Sequence, residues 1–210
     1  MIKLDLHVHS SASKDSGLSN KQIEKFLTRG IIDCMAITDH DQIDNALRLK
    51  EKFDQRIIVG EEISTSQGHL IGLFLTKHIQ KGLDIGKTIE EIKKQDGLVY
   101  IPHPMEKRRS GINLANLQPH IRDIDIVEVF NSRSFKPVKY SRLWSAQHSL
   151  AQAAASDSHG PRGIGSSYVD IASFPTRNNL IEQLNKGTMK TSRVALAYLE
   201  PSYYRLKKLF

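Results

Sequence analysis

Histidines and carboxylates occupy the positions of this chain that are best placed to perform chemistry. In the N-terminal run Asp5-Leu6-His7-Val8-His9-Ser10, a single residue separates two histidines. Alternate side chains of an extended strand face the same side, so His7 and His9 are predicted to share one face while Leu6 and Val8 fill the other. Neutral imidazole is the commonest metal ligand in proteins, and this pair therefore predicts part of a metal site.

Further acids and histidines stand at the ends of apolar runs of strand length. Such runs cover residues 34–38, 57–60, 70–75, 98–102, 126–130 and 153–156. The polar residues beside them are, in chain order, Asp39-His40-Asp41, Glu61-Glu62, His69, His103-Pro104, Asn131 and Asp157-Ser158-His159. Polar groups at strand ends are typical of the mouth of an α/β barrel or sheet, where the loops build the active site.

Each of these residues also has a purely structural interpretation. Asp39 could cap a helix that begins near Gln42, and Asp157 could be a turn residue before Gly160-Pro161. His103, which precedes a proline, could simply end a strand. All of these interpretations would have to hold together, so a shared site is the preferred one.

The ordered set of motifs resembles that of the PHP (polymerase and histidinol phosphatase) superfamily. The matching segments are Asp5-Leu6-His7-Val8-His9-Ser10, Thr38-Asp39-His40-Asp41, Gly60-Glu61-Glu62, His103-Pro104, Asp157-Ser158-His159 and, following them, Gly163-Ile164-Gly165. The resemblance implies an α/β fold, namely a distorted (β/α)7 barrel. It also implies two or three divalent metal ions clustered at the C-terminal ends of the strands.

Nine ligands in three groups are implied by the same resemblance. They are His7, His9, Glu62 and Asp157 for the first metal, Glu62 again with His69 and His103 for the second, and Asp15, His40 and His159 for the third. Glu61 is an alternative to its neighbour Glu62, but the Gly-x-Glu spacing of the family favours Glu62.

The donor set predicts the chemistry. Nitrogen and carboxylate ligands without thiolates suit Zn²⁺, Mn²⁺ or Fe²⁺. Clustered divalent ions lower the pKa of a bridging water from near 16 toward about 7 and stabilise the charge that develops on a phosphate. We therefore expect hydrolysis of a phosphate ester by a metal-bridging hydroxide. His40 or His159 is the candidate general acid, with Asp39 orienting His40.

Basic residues follow the same strand ends. Arg109, Arg133 and Arg162 are predicted to bind phosphate as a group, because the guanidinium fork matches phosphate oxygens in paired hydrogen bonds. The alternative is that they belong to a solvated loop surface. The formal net charge of +7 also favours anionic substrates.

The elements that must position these groups alternate between strand and helix patterns, which favours one compact α/β domain over residues 1–195. Ser19 and Gln22 predict a capping box at the start of a helix. Leu143 and Ala146 are predicted to form the inner stripe of a later helix. Cys34, the single cysteine, is predicted to be a core residue.

Residues 196–210 form a basic and aromatic tail. A terminal helix packed on the barrel or on a partner is one interpretation, and contact with a membrane surface or with nucleic acid is the other. The sequence has no charged-then-apolar leader and no apolar run long enough for a transmembrane segment, so a cytoplasmic protein is expected. The oligomeric state is not specified by the sequence.

Three functions follow as hypotheses. The first is a phosphoesterase acting on a small phosphorylated molecule, either a phosphomonoester or a nucleotide-type phosphate. The second is a 3'-5' exonuclease or another nuclease, with nucleic acid as the substrate. The third is a non-catalytic metal-binding accessory module, against which the complete ligand set argues.

Overall fold

The computed structural model describes residues 1–135 and 139–209. Its strands are β1 (Ile2–Val8), β2 (Cys34–Ile37), β3 (Ile57–Thr65), β4 (Gly68–Leu73), β5 (Leu98–Ile101), β6 (Ile126–Asn131), β7 (Ala151–Ala155), β8 (Tyr168–Ile171) and β9 (Thr188–Lys190). Its α-helices are α1 (Asn20–Thr28), α2 (Asp44–Phe53), α3 (Ile85–Lys94), α4 (Lys139–Gln147), α5 (Leu180–Lys186) and α6 (Ala195–Lys207). Phe210 lies outside the described part of the predicted tail.

The strands form one sheet in the order β7-β6-β5-β4-β3-β2-β1-β8-β9. β1, β2 and β3 are parallel, as are β5, β6 and β7. The sheet curls until the chain after β7 meets β1, where Val8 and Ser158 form a parallel bridge and the His9 amide donates to the Ser158 carbonyl at 2.9 Å. The result is a nearly closed barrel, which confirms the predicted α/β barrel class.

The barrel departs from seven regular βα units at β3 and β4. The predicted strand ending at Gly60 continues through Glu62 to Thr65 and turns directly into β4, with Glu62 paired opposite Ile71. β4 also runs antiparallel to β5. His69 therefore lies inside a strand rather than ahead of one. Because β4 runs against its neighbours, its N-terminal end lies at the same barrel rim as the C-terminal ends of the parallel strands.

Amphipathic helices cover the sheet. α1, α2 and α3 contribute to the larger apolar cluster through Ile23 and Leu27, Ala46 and Leu49, and Ile89 and Ile92. The capping box predicted for α1 is confirmed, since the Ser19 and Gln22 side chains each bond the other residue's backbone amide. Cys34 is fully buried, as predicted.

The predicted inner stripe of α4 is wrong. Leu143 is 53% exposed, whereas Trp144 and the small residues Ser141 and Ser145 are buried. A nine-residue helix with few apolar positions allows more than one rotation about its axis, and the wide indole of Trp144 takes the inward side. No helix among the described residues has the length and apolarity needed to cross a bilayer.

Candidate metal centre

The predicted ligands converge at one rim of the barrel. His7 lies on β1 and His9 directly after it, while His40 follows β2 and pairs with Glu62 of β3 in a parallel bridge. His103 follows β5 with a left-handed φ of 27°, and Asp157 follows β7 with a φ of 50°. Left-handed backbone is uncommon for these residue types and tends to occur at functional sites, where surrounding contacts hold it.

Glu62 is the centre of this cluster. Its Oε1 lies 3.0 Å from Nδ1 of His69 and 3.0 Å from Nε2 of His103. Its Oε2 lies 3.1 Å from Nε2 of His9 and 3.2 Å from Nδ1 of His40. Each oxygen of this buried carboxylate thus has two imidazoles within 3.2 Å, and Nε2 of His7 lies 3.5 Å from Oε2 as well. This donor set suits a carboxylate that bridges two metal ions.

His7 and His9 face each other through their Nε2 atoms, which lie 3.1 Å apart. Each of these nitrogens is also 3.5 Å from Oδ1 of Asp157. Both imidazoles are fully buried, and the three residues offer two ring nitrogens and one carboxylate oxygen within 4.8 Å of one another. This donor set suits a divalent ion, and the assignment of these residues with Glu62 to a first metal stays a prediction.

Asp15, His40 and His159 form a looser group. Asp15 Oδ2 lies 3.8 Å from Nε2 of His40, and its Oδ1 lies 3.6 Å from Nε2 of His159. The nitrogens of His40 and His159 also group with His9 within 4.8 Å. All nine ligands implied by the resemblance thus lie at one site, and their assignment to particular metals stays a prediction.

The ambiguity between Glu61 and Glu62 has a geometric answer. Adjacent residues of a strand face opposite sides, and Glu61 points away from the cluster toward His78, whose Nδ1 is 2.8 Å from Glu61 Oε1. The amide of Ile79 donates to Glu61 Oε2 at 3.0 Å. Glu62 is therefore the residue that the fold places among the histidines.

Glu128 was not predicted from the sequence, yet it is the second buried carboxylate of the centre. It accepts hydrogen bonds from Nδ1 of His7 at 2.9 Å, from the Tyr100 hydroxyl at 2.8 Å and from the His103 amide at 3.0 Å. A carboxylate on Nδ1 turns Nε2 of the same ring toward the metal position. The signal was an acid inside the apolar run 126–130, where an unpaired charge would be expensive.

The histidines of the cluster differ in the direction in which their pKa is shifted. Burial, reinforced by the charge of Arg109, lowers the pKa of His103 to about 3, and burial together with His9 lowers the pKa of His40 to about 4. Burial also opposes a charge on His7, but the Glu128 and Glu62 carboxylates outweigh it and raise the pKa of His7 to about 9. His40 and His103 therefore offer neutral lone pairs at pH 7, as metal ligation requires.

Asp39 neither caps α2 nor contacts the His40 ring. Helix α2 begins after Ile43 without a side-chain cap. The Asp39 carboxylate instead accepts from the amide of Ser10 and from the hydroxyls of Ser10 and Ser13, and the Ser13 hydroxyl is 3.2 Å from Nδ1 of His9. Asp39 thus holds the loop that orients His9, and the helix-cap interpretation is wrong.

Replacing Asp39 by Asn should lower metal affinity by about ten- to hundredfold, because residues that orient a metal ligand have effects of this size. The helical signal in circular dichroism should not change, and affinity is measured by competition with a chromogenic chelator. Asp44→Asn, which removes an exposed acid from the first turn of α2, is the matched control. Loss of helix with unaltered metal affinity would restore the cap role.

Two of the three predicted phosphate-binding arginines reach the centre. Nη1 of Arg133 is 2.9 Å from both Oδ1 of Asp157 and Nδ1 of His159. Arg109 forms an ion pair with Asp157 and donates to Oδ1 of Asn131 at 3.1 Å. Both arginines line the same cavity as the ligands.

Arg162 does not reach that cavity. Its side chain is 58% exposed and faces Glu200 of α6 at 3.9 Å, and its amide donates to the same carboxylate at 3.3 Å. The chain turns away from the centre after His159, so proximity in sequence did not bring Arg162 to the ligands. Its contacts are with the C-terminal helix.

The cavity above the cluster has a volume of about 410 Å³. Its floor holds metal-ligand candidates, and Arg108, Arg109 and Arg133 stand along its side. A further wall comes from α6 through Tyr198, Pro201, Ser202 and Arg205. No sequence spacing indicated that this distant helix would reach the site.

Comparison with known proteins was made on sequence and on structure. A family model described as PHP-associated matches residues 139–189. An uncharacterised protein of Methanocaldococcus jannaschii is 35% identical over 177 residues, which cover 81% of this chain and 71% of that protein.

Two solved structures share the fold. A two-domain protein of Bacteroides vulgatus, described as containing a predicted PHP-like metal-dependent phosphoesterase, superimposes with a TM-score of 0.72 at 18% identity, covering 91% of this chain and 65% of that one. The lesion-specific endonuclease of Pyrococcus furiosus gives a TM-score of 0.61 at 15% identity, covering 90% and 57%. This chain spans less than two thirds of either protein.

The family model covers the part of the chain from α4 to β9, which includes the Asp157-Ser158-His159 segment. The histidine pair lies at the end of β1, the central glutamate lies on β3, and the Asp-Ser-His segment follows β7 on the other side of the cluster. The chain belongs to the PHP superfamily.

Proposed function

We propose that this protein is a metal-dependent phosphoesterase that hydrolyses small phosphomonoesters, nucleotide-type phosphates included, to an alcohol and inorganic phosphate. The observation that carries the proposal is the Glu62 carboxylate, which has two imidazoles on each oxygen and shares a cavity with two inward-facing arginines. Metal ligands and arginines side by side are the combination that phosphate oxygens require.

The histidines and carboxylates of the cluster would bind the metals. Two or three divalent ions would be held by nine residues, namely His7, His9, Asp157, Glu62, His69, His103, Asp15, His40 and His159. Such ions, when bound, supply an activated water as nucleophile at neutral pH and neutralise charge on the phosphate. Zn²⁺, Mn²⁺ and Fe²⁺ all suit these ligands.

Arg133 and Arg109 orient the phosphate. Burial and the neighbouring Arg109 lower the pKa of Arg133 to about 9, which still leaves its guanidinium charged at neutral pH. Nε of Arg133 is buried and has no hydrogen-bond acceptor among the described residues. A non-bridging phosphate oxygen would satisfy that donor and add a charge-assisted hydrogen bond.

The leaving oxygen must receive a proton, and His40 and His159 both border the cavity. The Arg133 guanidinium donates to Nδ1 of His159 at 2.9 Å, so Nε2 is the ring nitrogen that remains, 3.6 Å from Asp15 Oδ1. His40 is the more exposed of the two, with 15% of its side chain accessible. Because burial lowers the pKa of both imidazoles and leaves them neutral at pH 7, we expect them to orient the water that delivers the proton rather than to supply the proton themselves. Asp39 supports His9 and His40 through Ser13, whose hydroxyl lies 3.2 Å from Nδ1 of His9 and accepts from the His40 amide at 3.0 Å.

The size of the cavity favours small substrates. About 410 Å³ is within the range of small-molecule sites, and residues of α6 line one side of the cavity. A nuclease is the second candidate because the Pyrococcus furiosus endonuclease has the same fold and this chain carries a net charge of +7. The complete ligand set argues against a non-catalytic module.

The test is phosphate release by metal-loaded protein from sugar phosphates, nucleoside monophosphates and histidinol phosphate, beside shortening of labelled single-stranded DNA and RNA. Release from small substrates that disappears in His9→Ala or Asp157→Ala is expected. His120→Ala, which alters a histidine outside the ligand cluster, should retain turnover. Shortening of nucleic acid without release from small substrates would replace the proposal by the nuclease.

A further inference from the structure

Helix α6 packs closely against the loop that follows β1, residues 11–17, and against Gly160. The Tyr204 ring packs so closely on Gly17 that a Cβ there would be 2.0 Å from it, and Glu200 packs on Gly160 in the same way at 2.5 Å. Nζ of Lys208, directly after the helix, donates to the carbonyls of Ser11 at 2.8 Å and Ser13 at 2.6 Å. The helix is thereby held at a set distance from the cluster.

Arg205 lies on the side of α6 that lines the cavity. Its Nη2 donates to Oδ2 of Asp15 at 3.1 Å, and 61% of the side chain is exposed. One hydrogen bond leaves most of the five guanidinium N–H groups for another acceptor. Lys14, the neighbour of Asp15 in sequence, lines the same cavity.

The cavity has more positive charge than one phosphate needs. Arg109 and Arg133 are paired with Asp157 deep in the site. Lys14 and Arg205 line the cavity on the side of Asp15. Lys14 has no ion-pair partner among the residues that the structure describes. Two separate groups of cations, one deep and one near α6, match a ligand with two separate anionic groups.

We infer that Arg205, with Lys14 beside it, binds a second anionic group, a phosphate or a carboxylate, on the leaving portion of the substrate. The inference rests on the proposed phosphoesterase function and narrows its substrates to phosphomonoesters that carry such a group. The shared chemistry is an oxyanion that accepts charge-assisted hydrogen bonds from a guanidinium.

The test compares glycerol 3-phosphate, 3-phosphoglycerate and fructose 1,6-bisphosphate as substrates of the full chain. The first has one anionic group, the second adds a carboxylate on a similar skeleton, and the third adds a phosphate. The measured quantity is the ratio of kcat/KM for each doubly anionic substrate to kcat/KM for glycerol 3-phosphate. In Arg205→Ala this ratio should fall about tenfold, because a charge-assisted hydrogen bond is lost. The change should appear as a higher KM for the doubly anionic substrates. Lys14→Ala should act in the same direction.

Lys207→Ala is the matched control, since it removes an exposed cation from the same helix and should leave the preference unaltered. The larger loss, with the carboxylate or with the bisphosphate, identifies which anion the subsite accepts. Equal losses on all three substrates would overturn the inference and leave the phosphoesterase standing, because Arg205 would then act through Asp15. No release from any substrate by the metal-loaded wild-type protein would overturn both.

Discussion

Replacing Glu62 by Gln is expected to lower turnover by about a thousandfold or more, because a bridging ligand supports a metal contribution of several kcal/mol. Five imidazoles lie within 3.5 Å of the Glu62 carboxylate, and the amide of Gln would present a neutral oxygen and an N–H group to them. The bound metal, measured by inductively coupled plasma mass spectrometry after gel filtration, should fall with the activity.

Glu61→Gln is the control for this experiment. The residue is adjacent, equally buried and chemically identical, but it faces His78 on the other side of β3. Metal content and turnover should remain near the wild-type values in Glu61→Gln. Equal losses in the two variants would show that a carboxylate in this strand matters for folding, and would contradict Glu62 as a ligand.

Replacing Glu128 by Ala should destabilise the protein by about 3–5 kcal/mol, the cost of removing one partner from a buried charged network. His7, Tyr100 and the His103 amide would each lose an acceptor in a position that water does not reach. The histidine contact also holds the pKa of Glu128 at about 2, since the charge of His7 outweighs the burial that would raise it. Urea unfolding in the presence of a chelator measures the effect without metal.

Glu128→Gln should fold, because glutamine has the same shape and still offers an oxygen to the network. Its metal affinity should fall by about ten- to hundredfold, because a neutral amide is a weaker hydrogen-bond acceptor for His7 than a carboxylate. Glu182→Ala is the control for stability, because this carboxylate is 66% exposed on α5 and pairs only with Lys186 among the described residues. It should leave the free energy of unfolding unaltered, because an ion pair in water contributes little. A Glu128→Ala variant as stable as Glu182→Ala would contradict the network.

The sequence predicted the parts of the centre that depend on short-range periodicity. His7 and His9 share a face because the strand repeat is two, and the same repeat separates Glu61 from Glu62. Strand ends were located correctly before His40, His103 and Asp157, because apolar runs stop there. The positions of these residues could be predicted from local sequence patterns, together with the rule that parallel strands of a barrel end at the same rim.

The remaining parts depend on contacts between distant segments. The β3–β4 hairpin carries His69 to the rim by an antiparallel return that a regular βα pattern does not contain. Arg205 meets Asp15 across 190 residues of sequence. Arg162 was predicted at the phosphate site from its proximity to His159, and instead the chain direction after Gly160 turns it toward Glu200.

The most direct measurement is release of inorganic phosphate from 3-phosphoglycerate and fructose 1,6-bisphosphate by protein stripped with a chelator, before and after Mn²⁺ or Zn²⁺ is added back. Negligible release from the stripped protein and recovery on metal addition, absent in Glu62→Gln, is the predicted result. Equal release with and without metal, or no release in either state, would contradict a metal-dependent phosphoesterase.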